Sequence, residues 1–187
     1  MTKGSRPPAQ RFVAFLRAVN VGGHVVKMAR LRAEFEALGC RNVETFIASG
    51  NVLFAAPSND AAMLEQRIET RLDKALGYPV ATFLRTPGEL ATLMRDEPFP
   101  RRDASTGLYV GFLKSALSPD MRDRLLAFRT DDDEFEVRGR EAFWLCRTRF
   151  SDSKVSGAKI EKALAMPATF RNVTTVRTLA LRSAEPA

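Results

Sequence analysis

The residues with the clearest capacity for chemistry lie in one stretch near the start of the chain, RAVNVGGHVVKM, from Arg17 to Met28. Its glycine pair, Gly22 and Gly23, can expose backbone N–H groups to an anion. Lys27 adds a positive charge where the pattern predicts the start of a helix, and the helix dipole also favours an anion there. The spacing matches neither the phosphate loop of nucleotide hydrolases nor the glycine fingerprint of dinucleotide-binding proteins. Two interpretations therefore stay open, an anion site and a tight turn whose glycines permit positive φ.

Four further residues extend this first polar cluster. Arg17 follows a run of apolar residues, and its guanidinium could either reach solvent or hold a carboxylate or phosphate. Asn20, Ser49 and Asn51 are common turn residues, which is a sufficient structural reason for each of them. They contribute to a ligand site only if the loop of Asn20 and the turn at Ser49–Asn51 meet in the fold.

A second polar cluster lies near the C-terminus. Helix capping accounts for Ser153 and Asn172 without any ligand. Exposed basic residues are ordinary, so Lys154 and Arg171 are also compatible with a plain solvated surface. We nevertheless retain these four residues and Thr175 as ligand-binding candidates, because they match the second signature of a family that the chain resembles, described below.

No pattern in the chain indicates a metal, a cofactor or an assigned catalytic residue. His24 is the single histidine, and neither Cys40 nor Cys146 has metal-ligand spacing to it. The acidic run Asp131–Glu134 lacks the glycine and distal glutamate of a calcium loop, and we predict that it is solvated. Phe143–Leu145, with the single tryptophan, is predicted to be core and not a base-stacking platform. We expect no metal and no cofactor.

The composition favours an anionic partner. The 187 residues include 29 Lys and Arg against 22 Asp and Glu, a formal net charge of +7. Such a charge suits nucleic acid or a phosphorylated small molecule, although scattered arginines are also typical of an unspecialised basic surface. No apolar run approaches the ~20 residues of a membrane span, and the first residues lack the apolar core of a secretory signal. We therefore expect a cytoplasmic protein with no membrane association.

The hydrophobic pattern predicts the elements that must position these residues. In the first half the predicted order is β-α-β-β-α-β followed by a helix. The predicted elements are a strand at Phe12–Leu16, a helix with Met28, Leu31, Phe35 and Leu38, strands at Val43–Ile47 and Val52–Ala55, a helix from Leu64 to Leu76, a strand at Val80–Leu84 and a helix capped by Thr86 and Glu89.

The second half repeats this order. Its predicted elements are a strand at Leu108–Leu113, a helix opened by Ser118, a hairpin of Phe135–Val137 and Phe143–Leu145, a helix with Ile160 and Leu164, a strand at Ala168–Phe170 and a closing helix capped by Asn172. We predict an α+β fold of two tandem ferredoxin-like (βαββαβ) subdomains, each followed by a helix. The expected boundaries are a disordered lead-in at 1–10, subdomains at 11–97 and 107–183, a linker at 98–106 and a tail at 184–187.

Several segments resemble the signatures of the DUF1697 family, a bacterial family of unknown function. They are Phe12–Gly23 (FVAFLRAVNVGG), Lys27–Leu31 (KMARL), Phe46–Phe54 (FIASGNVLF), Ser153–Lys154, Glu161–Leu164 (EKAL) and Thr169–Val176 (TFRNVTTV). The resemblance extends from about Arg11 to Leu181. It implies a cytosolic α+β protein built from ferredoxin-like pieces, with no assigned activity. The chain departs from the family pattern at Ala18, where glycine is common, and at Val173, where an aromatic residue is common.

These observations lead to one preferred function and two alternatives. The preferred function is non-catalytic binding of an anionic ligand, either nucleic acid or a phosphorylated small molecule. The first alternative is a phosphate-handling hydrolase, which resembles acylphosphatases by fold only and would use Arg17, Gly23 and Asn51. The second alternative is a structural or regulatory module that acts as an oligomer, for which a homodimer is the simplest partner arrangement.

Overall fold

The structure is a computed structural model that describes residues 9–20, 25–99 and 106–185. Almost all of the predicted lead-in and most of the predicted linker lie outside these ranges. Within them the predicted order of elements is confirmed. The first seven elements are β1 (Gln10–Leu16), α1 (Met28–Ala37), β2 (Arg41–Phe46), β3 (Asn51–Ala56), α2 (Ala61–Leu76), β4 (Thr82–Arg85) and α3 (Pro87–Arg95). The next seven are β5 (Gly107–Leu113), α4 (Pro119–Leu126), β6 (Asp133–Arg138), β7 (Glu141–Cys146), α5 (Gly157–Leu164), β8 (Ala168–Asn172) and α6 (Val173–Ala184).

The strands form two four-stranded antiparallel sheets, in the orders β2-β3-β1-β4 and β6-β7-β5-β8. The two orders are the same when the strands are counted within each half, and both are ferredoxin-like, as predicted. The chain divides into two compact units, unit 1 with Met1–Ala91 and Leu179–Ala187, and unit 2 with Thr92–Thr178. Helices α3 and α6 each have residues in both units.

The sheet register makes the repeat exact at the central strands. Val13 of β1 pairs with Leu53 and Arg85, and Val110 of β5 pairs with Phe143 and Arg171. The segments VAFL at 13–16 and VGFL at 110–113 therefore occupy the same position in the two sheets. This match places identical Val, Phe and Leu residues at equivalent positions of the two central strands, which supports duplication.

Each central strand is buried on both faces. In β1, Ala14 and Phe15 point to opposite faces and both are 0% exposed. One face packs on the helices in a core cluster that includes Leu31 and Phe35 of α1 together with Ile68 of α2. Burial of such apolar side chains contributes roughly 1.5–3 kcal/mol each, so the two-sided strands carry much of the stability of their sheets.

Glutamates from the helices protect the outer edge of the fourth strand in each sheet. Carboxylates of Glu69 and Glu65 in α2 accept hydrogen bonds from the backbone N–H groups of Thr82 (2.8 Å) and Leu84 (2.8 Å) in β4. In unit 2, Glu161 of α5 accepts from Ala168 N at the equivalent place in β8 (2.8 Å). These bonds satisfy N–H groups that would otherwise stay open to pairing with another chain.

The two units fill one matching pair of positions with different residues. In unit 2, Gly111 pairs with Phe170, and a Cβ added to Gly111 would lie 2.5 Å from a ring carbon of Phe170. In unit 1 the equivalent pair is Ala14 and Leu84. The absent Cβ on β5 therefore makes room for the larger ring, and the summed volume is conserved.

We expect Gly111→Ala to lower the free energy of unfolding by about 1–3 kcal/mol, because the new methyl group must displace the Phe170 ring. Gly88→Ala in α3 is the matched control, since a Cβ there meets no atom within 4 Å. Adding Phe170→Leu to Gly111→Ala recreates the pair of unit 1 and should recover part of the loss. Chemical denaturation followed by circular dichroism measures all three variants; equal stability of Gly111→Ala and the wild type would refute the packing explanation.

Candidate functional site

Asn20 joins the loop after β1 to the β2–β3 hairpin, so the two segments do meet in the fold. Its Nδ2 donates to the Ala48 carbonyl (2.7 Å), and its Oδ1 accepts from Val26 N (2.6 Å). The backbone N–H of Leu16 also donates to the Gly50 carbonyl (2.8 Å). We call Arg17, Asn20, Lys27, Ser49 and Asn51 the loop–hairpin cluster.

The backbone of this cluster contains several left-handed residues. Ala18, Asn20 and Ile47 have φ of 62°, 57° and 50°, and Gly50 has φ of 76°. A left-handed β-branched residue such as Ile47 is unusual, and such residues persist only where the surroundings fix them. Gly50 also needs its missing side chain, because a Cβ there would lie 3.0 Å from Cβ of Val19. The loop and the hairpin are therefore packed closely at this point.

Asn51 holds the hairpin together from inside. It is 0% exposed, and its Nδ2 donates to the Phe46 carbonyl (3.1 Å) and to Ser49 Oγ (2.9 Å). These contacts give Ser49 and Asn51 a structural role, as their turn-forming chemistry allowed. The charged side chains of the cluster belong to half-buried Arg17 and exposed Lys27. Arg17 N donates to the Ala81 carbonyl (2.8 Å), which fixes its backbone beside β4. Gly22, Gly23 and His24 lie outside the described residues.

Lys27 occupies the N-cap position of α1 and makes no side-chain capping bond. The first turn of α1 also contains no acidic residue. The other helices of the described ranges each begin with a side-chain oxygen that accepts from a backbone N–H near the helix start. These oxygens belong to Asp60, Thr86, Ser118, Ser156 and Asn172. Helix α1 thus begins with a cation where its companions begin with an acceptor.

In the second polar cluster, Ser153 was expected to cap a helix, and this expectation is wrong. Ser156 caps α5, whereas Ser153 Oγ donates to the carboxylate of Asp133 (3.0 Å to each oxygen) and accepts from Val155 N (3.0 Å). Ser153 is therefore an anchor of the loop that precedes α5. Lys154 beside it is exposed, and its carbonyl accepts from Lys159 Nζ (2.7 Å).

The prediction that the acidic run Asp131–Glu134 is solvated is wrong for Asp133. It is 2% exposed, and its Oδ1 accepts from Trp144 Nε1 (2.7 Å) while its Oδ2 accepts from Thr130 Oγ1 (3.2 Å). Asp131 and Asp132 are exposed, as expected. Alternation of polar and apolar residues along β6 was the available sequence signal, because it places Asp133 on the same face as Phe135 and Val137.

The β8 strand separates Arg171 from Asn172, although they are adjacent in sequence. Asn172 pairs with Tyr109, while Arg171 pairs with Val110, so their side chains lie on opposite faces of the sheet. Arg171 is 9% exposed, and its Nη1 donates to Thr169 Oγ1 (2.7 Å) and the Phe170 carbonyl (2.9 Å). Burial lowers the pKa of the Arg171 guanidinium to about 10. The sheet therefore divides the second cluster.

On the other face, Asn172 performs the capping role predicted for it. Its Oδ1 accepts from Thr174 N (2.8 Å) at the start of α6, and its side chain also forms a hydrogen bond with Tyr109. Burial raises the pKa of the Tyr109 hydroxyl, and the bond to Asn172 opposes that rise. Thr175 lies half-buried in the first turn of α6. Asn172 therefore does not form one polar surface with Arg171.

In the described ranges, no group of three or more His, Cys, Asp and Glu residues is arranged to hold a metal ion. Cys40 and Cys146 are buried free thiols, and burial raises the pKa of the Cys40 thiol to about 11. No helix in the described part of the chain is long and apolar enough to cross a membrane.

We expect Ala18→Gly to stabilise the protein, because Ala18 has φ of 62° and glycine adopts that conformation without the steric cost of a Cβ. The gain should be at most about 1 kcal/mol, since glycine also adds entropy to the unfolded chain. Ala33→Gly in α1 is the control, and it should lower stability by about 1 kcal/mol. Denaturant unfolding of both variants provides the measurement; a loss of stability in Ala18→Gly would contradict the strain argument.

We expect Asp133→Asn to lower the free energy of unfolding by about 1–3 kcal/mol. Trp144, Thr130 and Ser153 donate to the two carboxylate oxygens of Asp133, and an asparagine amide would offer them one acceptor oxygen. The adjacent, exposed Asp132→Asn removes the same charge and should have little effect. Thermal unfolding of the two variants at pH 7 compares them directly. Equal melting temperatures for the two would show that the buried carboxylate does not hold this loop.

Comparison with known proteins places the chain in a family. The family model described as "Protein of unknown function (DUF1697)" matches residues 9–143, which includes the loop–hairpin cluster and ends before the second cluster. No curated protein matches the chain. The fold is similar to that of the conserved bacterial protein SP0830 from Streptococcus pneumoniae, with a TM-score of 0.74 and 22% sequence identity over 95% of this chain and 99% of that one. The chain belongs to the DUF1697 family, and the matched residues include both segments that Asn20 joins, the end of β1 and the β2–β3 hairpin.

Proposed function

We propose that this protein binds an anionic ligand, nucleic acid or a phosphorylated small molecule, at the N-terminus of α1, without catalysing a reaction. The observation that carries the proposal is the cation at the N-cap of α1. Lys27 stands there without a capping bond, and no acidic side chain neutralises the first turn. Unsatisfied N–H groups and the helix dipole both favour an anion at such an end.

The loop–hairpin cluster holds this helix end in place. Asn20 ties Val26, the residue before Lys27, to the carbonyl of Ala48 in the hairpin. A site fixed by such contacts loses little entropy when a ligand binds. Arg17, at the end of β1, adds a second positive charge to this cluster, and Ser49 and Asn51 maintain the hairpin against which the loop packs.

The candidates of the second cluster have a weaker claim. Arg171 is buried on one face of its sheet, Asn172 caps α6 on the other, and Ser153 is engaged by Asp133. Exposed Lys154 is the member whose placement best suits contact with a ligand. We therefore centre the proposed site on Lys27 and not on these residues.

The two alternative functions have less support. A hydrolase of the acylphosphatase type would need the Asn51 side chain at the site, yet its amide is buried and donates to two acceptors within the hairpin. The oligomeric module stays a prediction, which the mass of the protein in solution tests. We also propose a cytoplasmic location, which the two buried free thiols support because disulfides are rare there.

Lys27→Ser separates a binding role from a structural role. Serine supplies the missing capping oxygen and removes the cation, so the variant should be about 0.5–1 kcal/mol more stable while losing anion binding. Inorganic phosphate is the probe, and thermal unfolding in phosphate and in chloride at equal ionic strength is the measurement. At 100 times its Kd, phosphate should stabilise the wild type by about 2.7 kcal/mol and the variant by much less.

Arg32→Gln is the control for charge, because Arg32 is exposed on the same helix and away from its N-terminus. This variant should keep the response to phosphate. If phosphate stabilises Lys27→Ser as much as the wild type, the anion does not bind at this helix end and the proposal is wrong.

A further inference from the structure

A groove between α1 and α2 carries a row of positive side chains that the proposed site does not include. Arg30 Nη2 donates to the Ala75 carbonyl, Arg71 Nε contacts Glu34 Oε2 (2.5 Å), and Arg67 Nη2 donates to the Leu38 carbonyl (3.3 Å). Successive contacts are four residues apart on each helix and run in opposite chain directions, so the helices are antiparallel and the contacts follow their shared boundary. We call this boundary the α1–α2 seam.

The seam contains an open cavity of about 360 Å³, lined by Leu38, Gln66, Arg67, Thr70, Arg71 and Lys74. All but Leu38 belong to α2 and are exposed. The positions 67, 71 and 74 recur at helical spacing, so their side chains share one face of α2. With a rise of 1.5 Å per residue, the three cations span about 10 Å along the helix. Their charge is therefore a line and not a point.

Most of this charge is not neutralised by carboxylates of the described residues. Elsewhere arginines pair with acids, as in Arg124–Asp120 (2.6 Å) and Arg177–Glu97 (2.7 Å). In the seam Glu34 pairs with Arg71, while Arg30 and Arg67 donate to backbone carbonyls. These contacts fix the guanidinium groups and use a minority of the five donors that each one carries. The remaining donors can reach a ligand.

We propose that the α1–α2 seam binds a single strand of nucleic acid, with phosphates contacting Arg67, Arg71 and Lys74. A line of cations one helical turn apart suits a repeating anion better than a single phosphate. The cavity is open, and a flexible single strand can follow it while its bases meet the polar side chains there. The guanidinium groups of Arg67 and Arg71, which their contacts with α1 fix in place, also provide planar surfaces on which bases can stack. Gln66 and Thr70 provide hydrogen-bonding groups.

The inference deepens the proposed function and rests on it for the general preference for anions. Arg30 lies one turn after Lys27, so the seam begins beside the proposed anion site at the start of α1. A strand along the seam would place one phosphate near Lys27 and the following ones along α2. The ligand class is then narrowed from any anion to a linear polyanion with bases.

The test measures binding of a fluorescein-labelled single-stranded oligonucleotide by anisotropy at several salt concentrations. Arg67→Gln combined with Lys74→Gln removes two seam cations and leaves the Arg71–Glu34 pair intact. Arg149→Gln combined with Lys162→Gln is the control, since both residues are exposed in unit 2 and the net charge changes equally. All four positions are exposed, so both variants should unfold at the temperature of the wild type.

The seam variant should bind at least about tenfold more weakly at low salt, while the control variant should bind as the wild type does. The slope of log K against log salt should also fall by about 1.4 in the seam variant, because each lost phosphate contact removes about 0.7. An equal loss in the two double variants would mean that net charge alone drives binding, and this would overturn the seam. Equal binding of a duplex of the same sequence would overturn the assignment to a single strand.

The phosphate experiment with Lys27→Ser keeps the two proposals distinguishable. Phosphate stabilisation without oligonucleotide binding would leave the anion site at α1 and overturn the seam. Oligonucleotide binding that depends on Arg67 and Lys74 but not on Lys27 would support the seam and overturn the site at the helix end. Absence of both responses would overturn both proposals.

Discussion

The burial of β1 on both faces decides where polar chemistry can occur in unit 1. No side chain in the middle of that strand can reach a ligand, because Ala14 and Phe15 are both enclosed. Polar function is therefore confined to the loops at the strand ends and to the outer faces of the helices. The loop–hairpin cluster occupies the first of these places and the α1–α2 seam occupies the second. β5 imposes the same constraint on unit 2.

Glutamates in the helices complete this arrangement by fixing β4 and β8. Each carboxylate joins a helix side chain to a strand backbone, so the position of the helix and the register of the edge strand depend on each other. This arrangement also gives a physical reason for one segment of the family resemblance. Glu161 belongs to the segment EKAL, and its observed contact is with the backbone of a strand.

The order of elements and the sheet arrangement were predictable because apolar periodicity distinguishes helices from strands, and the same periodicity recurs in both halves. The contact between Asn20 and the β2–β3 hairpin could not be predicted from the sequence, because contacts between turns that are distant in the chain depend on the geometry of the sheet. Asp133 was missed because a run of acids is usually solvated, and burial of one member depends on Trp144 from another strand. The seam was also missed. The spacing of Arg67, Arg71 and Lys74 puts them on one face of α2, but only the packing of α1 against α2 shows that this face borders a second helix.

The burial of Trp144, whose indole N–H donates to Asp133, determines what tryptophan fluorescence can report about this molecule. The chain has one tryptophan, and it lies in unit 2, among Tyr109, Phe135, Phe150 and Phe170. Its intrinsic fluorescence is therefore a reporter of unit 2, while unit 1, with both proposed binding regions, has no such fluorophore. Tryptophan emission reports the unfolding of unit 2, whereas far-ultraviolet circular dichroism reports the backbone of both units. Unfolding curves that coincide indicate that the two units unfold together, and curves that differ indicate that they unfold separately.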